Sequence, residues 1–135
     1  MSEPDFLGSS PPKIGVLIVE PEAQVRALLK LALEPHGYDL LLASTCQEGL
    51  TLVQQRSIPI PLVLLAGSVL DFQMEQTLAT FRAFPPPCSI LVMTGDIAAH
   101  KPETLLPLGV THVVKKPFRL ADLIELLKQT LAGKG

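Results

Sequence analysis

Residues 61–66 read PLVLLA, and this aliphatic run, which closes on an alanine, decides how the chain is interpreted. A continuous apolar segment of this length is typical of a strand covered on both faces of a parallel sheet. Three more runs of this kind each lead into a polar or charged residue. The four residues at the strand ends are Glu20, Ala66, Thr94 and Lys116. Because parallel strands bring their carboxyl ends to one edge, we expect these four residues to surround one pocket.

Between the apolar runs the hydrophobic spacing changes to that of amphipathic helices. The predicted strands are Ile14–Val19, Tyr38–Ala43, Leu62–Ala66, Ser89–Thr94 and Thr111–Lys115. The predicted helices cover residues 22–34, 45–55, 74–83 and 119–132. Pro102 and Pro107 predict that the helix before the last strand is short or irregular. The alternation of strands and helices predicts an α/β fold with a parallel sheet and right-handed crossovers.

Two local patterns within the helices make sharper predictions. Thr45 followed three residues later by Glu48 is a capping-box signature for the second helix. In the first helix, the spacing predicts that Val25, Leu28 and Leu29 point inward, together with Ala32, whereas Gln24, Arg26 and Lys30 point outward.

The composition predicts one domain over residues 13–132, between a disordered N-terminal tail (1–12) and a short C-terminal tail (133–135). The chain is 47% hydrophobic but 4% aromatic, so its core must be aliphatic. No apolar run approaches the roughly 18 residues of a membrane span, and the acidic N-terminus lacks signal-peptide features. The net charge of −2, with scattered Lys and Arg, argues against nucleic-acid binding. We therefore predict a cytoplasmic protein that contacts neither membrane nor nucleic acid directly.

The strand ends resemble those of the receiver domain of bacterial two-component response regulators, over residues 13–132. The resemblance implies a flavodoxin-like, doubly wound sheet of five parallel strands in the order 2-1-3-4-5, with helices on both faces. In that family the third strand ends in an aspartate, which accepts a phosphoryl group from a histidine kinase. Ala66 stands at that position, and a methyl group cannot act as a nucleophile. The chain therefore resembles a degenerate receiver, a pseudo-receiver.

The resemblance also bears on metal binding. Family members hold Mg²⁺ with two adjacent acidic residues after the first strand, and these positions are Glu20 and Pro21 here. A backbone carbonyl, which would be that of Ser68, supplies a further ligand. Magnesium requires hard oxygen ligands, and both Pro21 and Ala66 remove a carboxylate from the set. We expect Mg²⁺ binding to be weak or absent, with Glu20 and Glu22 as the candidate ligands and no other cofactor.

Other positions of the family's pocket are partly retained. Thr94 matches the switch hydroxyl, and Lys116 matches the lysine that contacts the acceptor and the phosphoryl oxygens. Pro117 follows the lysine at a position where the family has a cis peptide bond. An aromatic switch residue is absent, because its position is Val113. A lysine at a buried strand end needs an anionic partner, and the nearest predicted one is Glu20.

The remaining polar residues carry weaker signals. Asp71 and Asp96 are the alternative phosphoryl acceptors, but Asp71 is distant from the pocket and Asp96 is typical of a turn. Cys46 and Cys88 are predicted at opposite edges of the sheet, too far apart for a disulfide. The three histidines, His36, His100 and His112, have no metal-ligand spacing and are predicted to be surface or loop residues.

Three functions remain open from the sequence. The first is a receiver-like signalling module in two-component (phosphorelay) signal transduction, not itself phosphorylated. It would act through protein partners such as a histidine kinase or an output protein, and would not be an enzyme. The second is a true phosphoryl-accepting receiver with a non-standard acceptor. The third is a small enzyme or nucleotide binder on the same fold, although no phosphate-binding glycine motif or nucleophile–base pair is present.

Overall fold

The protein is built on one five-stranded parallel sheet in the order β2-β1-β3-β4-β5. It is a computed structural model that describes residues 13–55, 59–70, 73–84 and 87–133. The strands are β1 (Ile14–Val19), β2 (Tyr38–Ala43), β3 (Leu62–Ala66), β4 (Ser89–Thr94) and β5 (His112–Lys115). The predicted strand order is confirmed. The predicted N-terminal tail lies outside the described residues, as does most of the C-terminal tail.

The helices lie on both faces of the sheet. They are α1 (Ala23–Leu33), α2 (Cys46–Gln55), α3 (Met74–Ala83), α4 (Pro102–Leu105) and α5 (Leu120–Ala132). Three single 3₁₀ turns cover Glu34–His36, Gly67–Val69 and Leu106–Leu108. The helix α4 is a single turn that continues into a 3₁₀ turn at Pro107, which confirms the short or irregular helix predicted there.

The alternation of side chains along the strands divides the core into two layers. On one face, Leu17, Val63 and Val92 pack with residues of α3 and with the inner sides of α2 and α4. On the other face, Ile18 and Met93 pack with leucines from α1 and α5 (Leu29, Leu33, Leu123 and Leu127). Because β1, β3 and β4 are covered on both sides, their side chains are almost all buried, as the continuous aliphatic runs predicted.

The inward face of α1 differs from the prediction. Leu28 was expected to point inward, but it is 51% exposed, and Leu31 is 72% exposed. Leu29, which was also expected to point inward, is buried, and so is Leu33. Consecutive residues are rotated by about 100° around a helix, and the buried stripe of α1 follows Leu29 and Leu33, which leaves Leu28 at its outer edge. Leucines occur almost all round α1, and for this reason the pattern left its orientation ambiguous.

The capping residues of α2 behave nearly as predicted. The Thr45 hydroxyl accepts a hydrogen bond from the Glu48 backbone N–H (3.1 Å), whereas the Glu48 carboxylate accepts from the Ser44 backbone N–H (2.7 Å) and hydroxyl (3.1 Å). These bonds to Ser44 lower the pKa of Glu48.

The two cysteines lie where the topology predicted them. Cys46 begins α2 after the carboxyl end of β2, and Cys88 precedes β4 at the opposite edge of the sheet. Among the described residues, no helix has both the length and the apolarity needed to cross a membrane.

Candidate functional site

The strand ends form one buried edge, as the sequence predicted. Val19 of β1 pairs with Leu65 of β3, and Ala66 pairs with Met93 of β4. The residues that follow these pairs, Glu20 and Thr94, are therefore brought to the same edge. Glu20 and Ala66 are each 1% exposed and Thr94 is 2% exposed. The pocket floor thus contains one carboxylate, one methyl group and one hydroxyl group.

The predicted contact between Lys116 and Glu20 is confirmed. The Lys116 amine donates to Glu20 Oε1 at 3.2 Å, and the Glu22 backbone N–H donates to Oε2 at 3.0 Å. The Glu20 side chain is 2% exposed, whereas that of Lys116 is 31% exposed. A carboxylate this deeply buried requires compensation, and Lys116 supplies the positive charge. Glu22, which was a candidate metal ligand, contributes its backbone N–H to this arrangement.

Arg26 contacts the turn that follows Glu20, although the hydrophobic spacing predicted it on the outer face of α1. Its guanidinium donates to the backbone carbonyl of Glu20 at 2.6 Å and to that of Pro21 at 3.0 Å. Arg26 is half-buried rather than fully solvated. These bonds occupy carbonyl oxygens in the turn between β1 and α1. The sequence signal was weak, because an arginine in the second turn of a helix is normally a surface residue.

The remaining predicted site residues lie in separate environments. Ser68 is exposed in the 3₁₀ turn after β3, whereas Val113 is half-buried and packs on the core layer beneath α3. Pro117 follows Lys116 through a cis peptide bond. Asp71, one of the alternative acceptors, lies outside the described residues. Asp96 is a turn residue, as predicted, since its carboxylate accepts a hydrogen bond from the Ala99 N–H at 3.1 Å.

Thr94 has a partner that sequence reasoning missed. Its hydroxyl lies 2.7 Å from Nδ1 of His100 and accepts a hydrogen bond from the Asp96 N–H at 2.9 Å. His100 is a loop residue, as predicted, but it is half-buried and belongs to the pocket. No sequence pattern could have revealed this contact, because the loop turns back on itself between the two residues.

A groove with a volume of about 490 Å³ runs along one side of the pocket, between α1 and the start of α5. Lys116 and Glu22 stand at its polar end. Its walls are apolar and consist of Val25, Leu28, Leu29, Pro117, Phe118 and Leu120. Within the described part of the chain, no group of three or more His, Cys, Asp and Glu side chains is arranged to hold a metal ion.

The sequence matches the response regulator receiver domain family over residues 16–128. One curated relative is a probable transcriptional regulatory protein of Picosynechococcus, 26% identical over 117 residues. Another is the uncharacterized transcriptional regulatory protein YkoG of Bacillus subtilis, 26% identical over 120 residues. These alignments cover 83% and 89% of this chain but 47% and 52% of the relatives. The chain therefore spans about half the length of the curated relatives it matches.

Solved structures share the fold. A CheY-like response regulator receiver domain protein from Methanospirillum hungatei has a TM-score of 0.78 at 24% identity, with 90% of this chain and 95% of that chain covered. A response regulator from Thermotoga maritima has a TM-score of 0.72 at 24% identity, with 89% and 98% covered.

Proposed function

Because the chain belongs to the response regulator receiver domain family, we propose that it serves two-component signalling as a pseudo-receiver. In this proposal it accepts no phosphoryl group and acts in the cytoplasm through contacts with protein partners. The single observation that carries the proposal is the composition of the pocket floor. Ala66 offers no nucleophile, and the buried carboxylate of Glu20 is neutralised by Lys116 at 3.2 Å.

The ion pair matters because it satisfies within the chain the two groups that a phosphorylated pocket would use. Lys116 has its anion in Glu20, so it does not need a phosphoryl oxygen to compensate its charge. Glu20 has a cation and the Glu22 N–H, so both of its oxygens are engaged. We infer that the pocket is electrostatically balanced without any ligand.

The side-chain oxygens at the end of β1 and β3 do not form a ligand set that fits Mg²⁺. Pro21 has no side-chain oxygen, Ala66 has none, and the Glu20 carboxylate is engaged by an amine and a backbone N–H. Magnesium keeps a near-octahedral shell of oxygens and is not accommodated beside an ammonium group that occupies the same carboxylate. We propose that the protein works without a metal ion or other cofactor and is not an enzyme.

The groove beside Lys116 supports a function in protein binding. Leu28 and Leu31 expose large apolar side chains on α1, and Leu28 also lines the groove. Exposed apolar surface that continues into a concave groove is a common feature of protein-binding sites. A partner seated there would contact the Lys116 end of the ion pair directly.

The proposal is tested by treating the protein with acetyl phosphate and Mg²⁺ and measuring its intact mass. We expect no labile phosphoryl adduct on the natural sequence. The matched positive control is the double variant Pro21→Asp/Ala66→Asp, which restores both carboxylates and should be labelled. Ala66→Asp alone should be labelled weakly, because the metal site still lacks one carboxylate and the two changes act through one ion.

Two outcomes would contradict these expectations. An adduct on the natural sequence, mapped to Asp71, Asp96 or Ser68, would establish the alternative of a receiver with a non-standard acceptor. Equal labelling of Ala66→Asp and the double variant would show that Pro21 is not what limits metal binding.

A further inference from the structure

We propose that His100, through its hydrogen bond with the Thr94 hydroxyl, fixes the loop between β4 and α4 (residues 95–101) in one conformation. The proposal deepens the proposed function and rests on it in one respect. If no phosphoryl group ever reaches the pocket, the loop must be positioned by groups of the chain itself. His100 is the group that the structure places against the end of β4.

The Thr94 hydroxyl has the hydrogen-bonding capacity to hold His100. A hydroxyl has one proton and two lone pairs, and the Asp96 N–H uses one lone pair at 2.9 Å. His100 Nδ1 lies at 2.7 Å and the Asp96 carbonyl at 3.2 Å. If Nδ1 carries no proton, the hydroxyl donates to it. If Nδ1 is protonated, it donates to the second lone pair and the hydroxyl turns to the Asp96 carbonyl. The contact therefore survives in either tautomer.

The His100 ring also packs closely against Gly67. A Cβ atom placed on Gly67 would lie 2.8 Å from both Cε1 and Nδ1 of His100, closer than real Cβ contacts. The imidazole thus rests directly on the α-carbon of Gly67, in space that any other residue would fill. The backbone of Gly67 does not adopt a left-handed φ, so a larger residue here would be opposed by the close approach of the ring and by Thr94 Cβ at 3.1 Å.

The path of the loop between β4 and α4 also places His100 at the end of β4. The Ala99 and His100 N–H groups both donate to the Asp96 carbonyl, at 3.2 and 3.0 Å. This turn brings His100 back over the end of β4. The helix α4 begins at Pro102, two residues after His100. Holding the imidazole therefore also positions the start of α4, and a partner that contacts this end of the molecule meets a single arrangement.

The test is amide hydrogen exchange on the full chain, comparing His100→Ala with the natural sequence. We expect exchange of the amides in residues 95–101 to rise about tenfold, with a smaller rise at residues 67–69, because the loop loses its anchor. His112→Ala is the matched control, since His112 is exposed on β5, and it should leave these amides unchanged. His100→Asn, whose side-chain amide reaches the Nδ1 position, should restore part of the protection. Equal exchange in His100→Ala and His112→Ala would overturn the proposal.

A double-mutant cycle supplies a second measurement that does not depend on the first. Gly67→Ala should lower the melting temperature by roughly 3 °C or more in the natural sequence, because its methyl group displaces the ring. In the His100→Ala background the same change should cost much less. Additive effects would show that the ring does not rest on Gly67 and would overturn the proposal. Neither measurement involves phosphorylation. A result showing that His100 does not fix the loop is therefore separate from an unexpected phosphoryl adduct.

Discussion

Two contacts stabilise the pocket in different ways: Glu20 with Lys116, called here its charged side, and Thr94 with His100, called its neutral side. On the side of β1 and β5, Glu20 and Lys116 form an ion pair between residues 96 positions apart in the chain. On the side of β4, Thr94 and His100 form a neutral hydrogen bond across six positions. The first contact joins two strands that are not neighbours in the sheet. The second fastens a loop to the strand from which it emerges.

This difference predicts how each side responds when a partner is removed. A buried charge that loses its counter-ion has no good alternative, whereas a hydroxyl group usually finds another hydrogen-bonding partner nearby. Losing a partner on the charged side should therefore reduce the stability of the whole domain. Losing one on the neutral side should loosen the loop and cost less.

The largest effect is expected for Lys116→Met. Methionine keeps the apolar stem but leaves the Glu20 carboxylate buried without its cation. We expect the free energy of unfolding to fall by about 3 kcal/mol, the low end for breaking a buried pair, because Lys116 is itself 31% exposed. Urea denaturation measures this loss. Lys115→Met, at the exposed neighbouring position, is the control and should change stability little. Equal losses in the two variants would mean that Glu20 does not depend on Lys116.

A smaller effect is expected for Thr94→Val, which replaces the hydroxyl by a methyl group of similar size. The Asp96 N–H and the His100 imidazole each lose a partner, but both belong to a partly exposed loop and can be hydrated. We expect a loss of about 1–2 kcal/mol in the free energy of unfolding, again measured in urea. A loss as large as that of Lys116→Met would remove the distinction between the two sides.

Glu20→Gln should be milder than Lys116→Met, although it removes the other half of the same pair. Glutamine still accepts the Glu22 N–H, and the lysine that remains reaches water. We expect a loss of about 1 kcal/mol. The double variant Glu20→Gln/Lys116→Met should be more stable than Lys116→Met alone, because no uncompensated buried charge remains. If the double variant is less stable than Lys116→Met, the losses of stability are not set by the difference in burial between Glu20 and Lys116.

The smallest effect on stability is expected at Glu48, an exposed residue outside the pocket. It serves as a reference for the larger effects expected in the pocket. Hydrogen bonds from Ser44 lower the pKa of Glu48 below its ordinary value of 4.5, so the folded state favours the charged carboxylate. This contribution is present above pH 4.5 and is lost as the pH falls through the lowered folded-state pKa. Glu48→Gln should therefore flatten slightly the decline in melting temperature on acidification. An unchanged acid profile would show that the charge of the Glu48 carboxylate adds nothing to stability.

Much of the architecture was predictable because it follows from local periodicity. The strands β1, β2, β3 and β4 and the helix α3 have the predicted bounds, since periodic runs bounded by proline or polar residues leave little choice of where each element begins and ends. The pair formed by Glu20 and Lys116 was also predictable, because strand order and the need to neutralise a buried charge depend on the topology and on residue type. The same reasoning failed at Leu28, where leucines around α1 made several orientations equally apolar.

What the sequence by itself determined is therefore the sheet, the presence of an alanine, Ala66, at the end of β3 and the sign of each charge at the strand ends. Tertiary structure decided the further contacts of these strand ends, which the sequence did not predict. His100 lies over Gly67, and Arg26 turns inward to the carbonyls of Glu20 and Pro21. Both contacts depend on how a loop and a helix are placed after the sheet has formed. The physical reason is that hydrogen bonds are directional and act over about 3 Å, so they are set by exact positions that hydrophobic patterns do not specify.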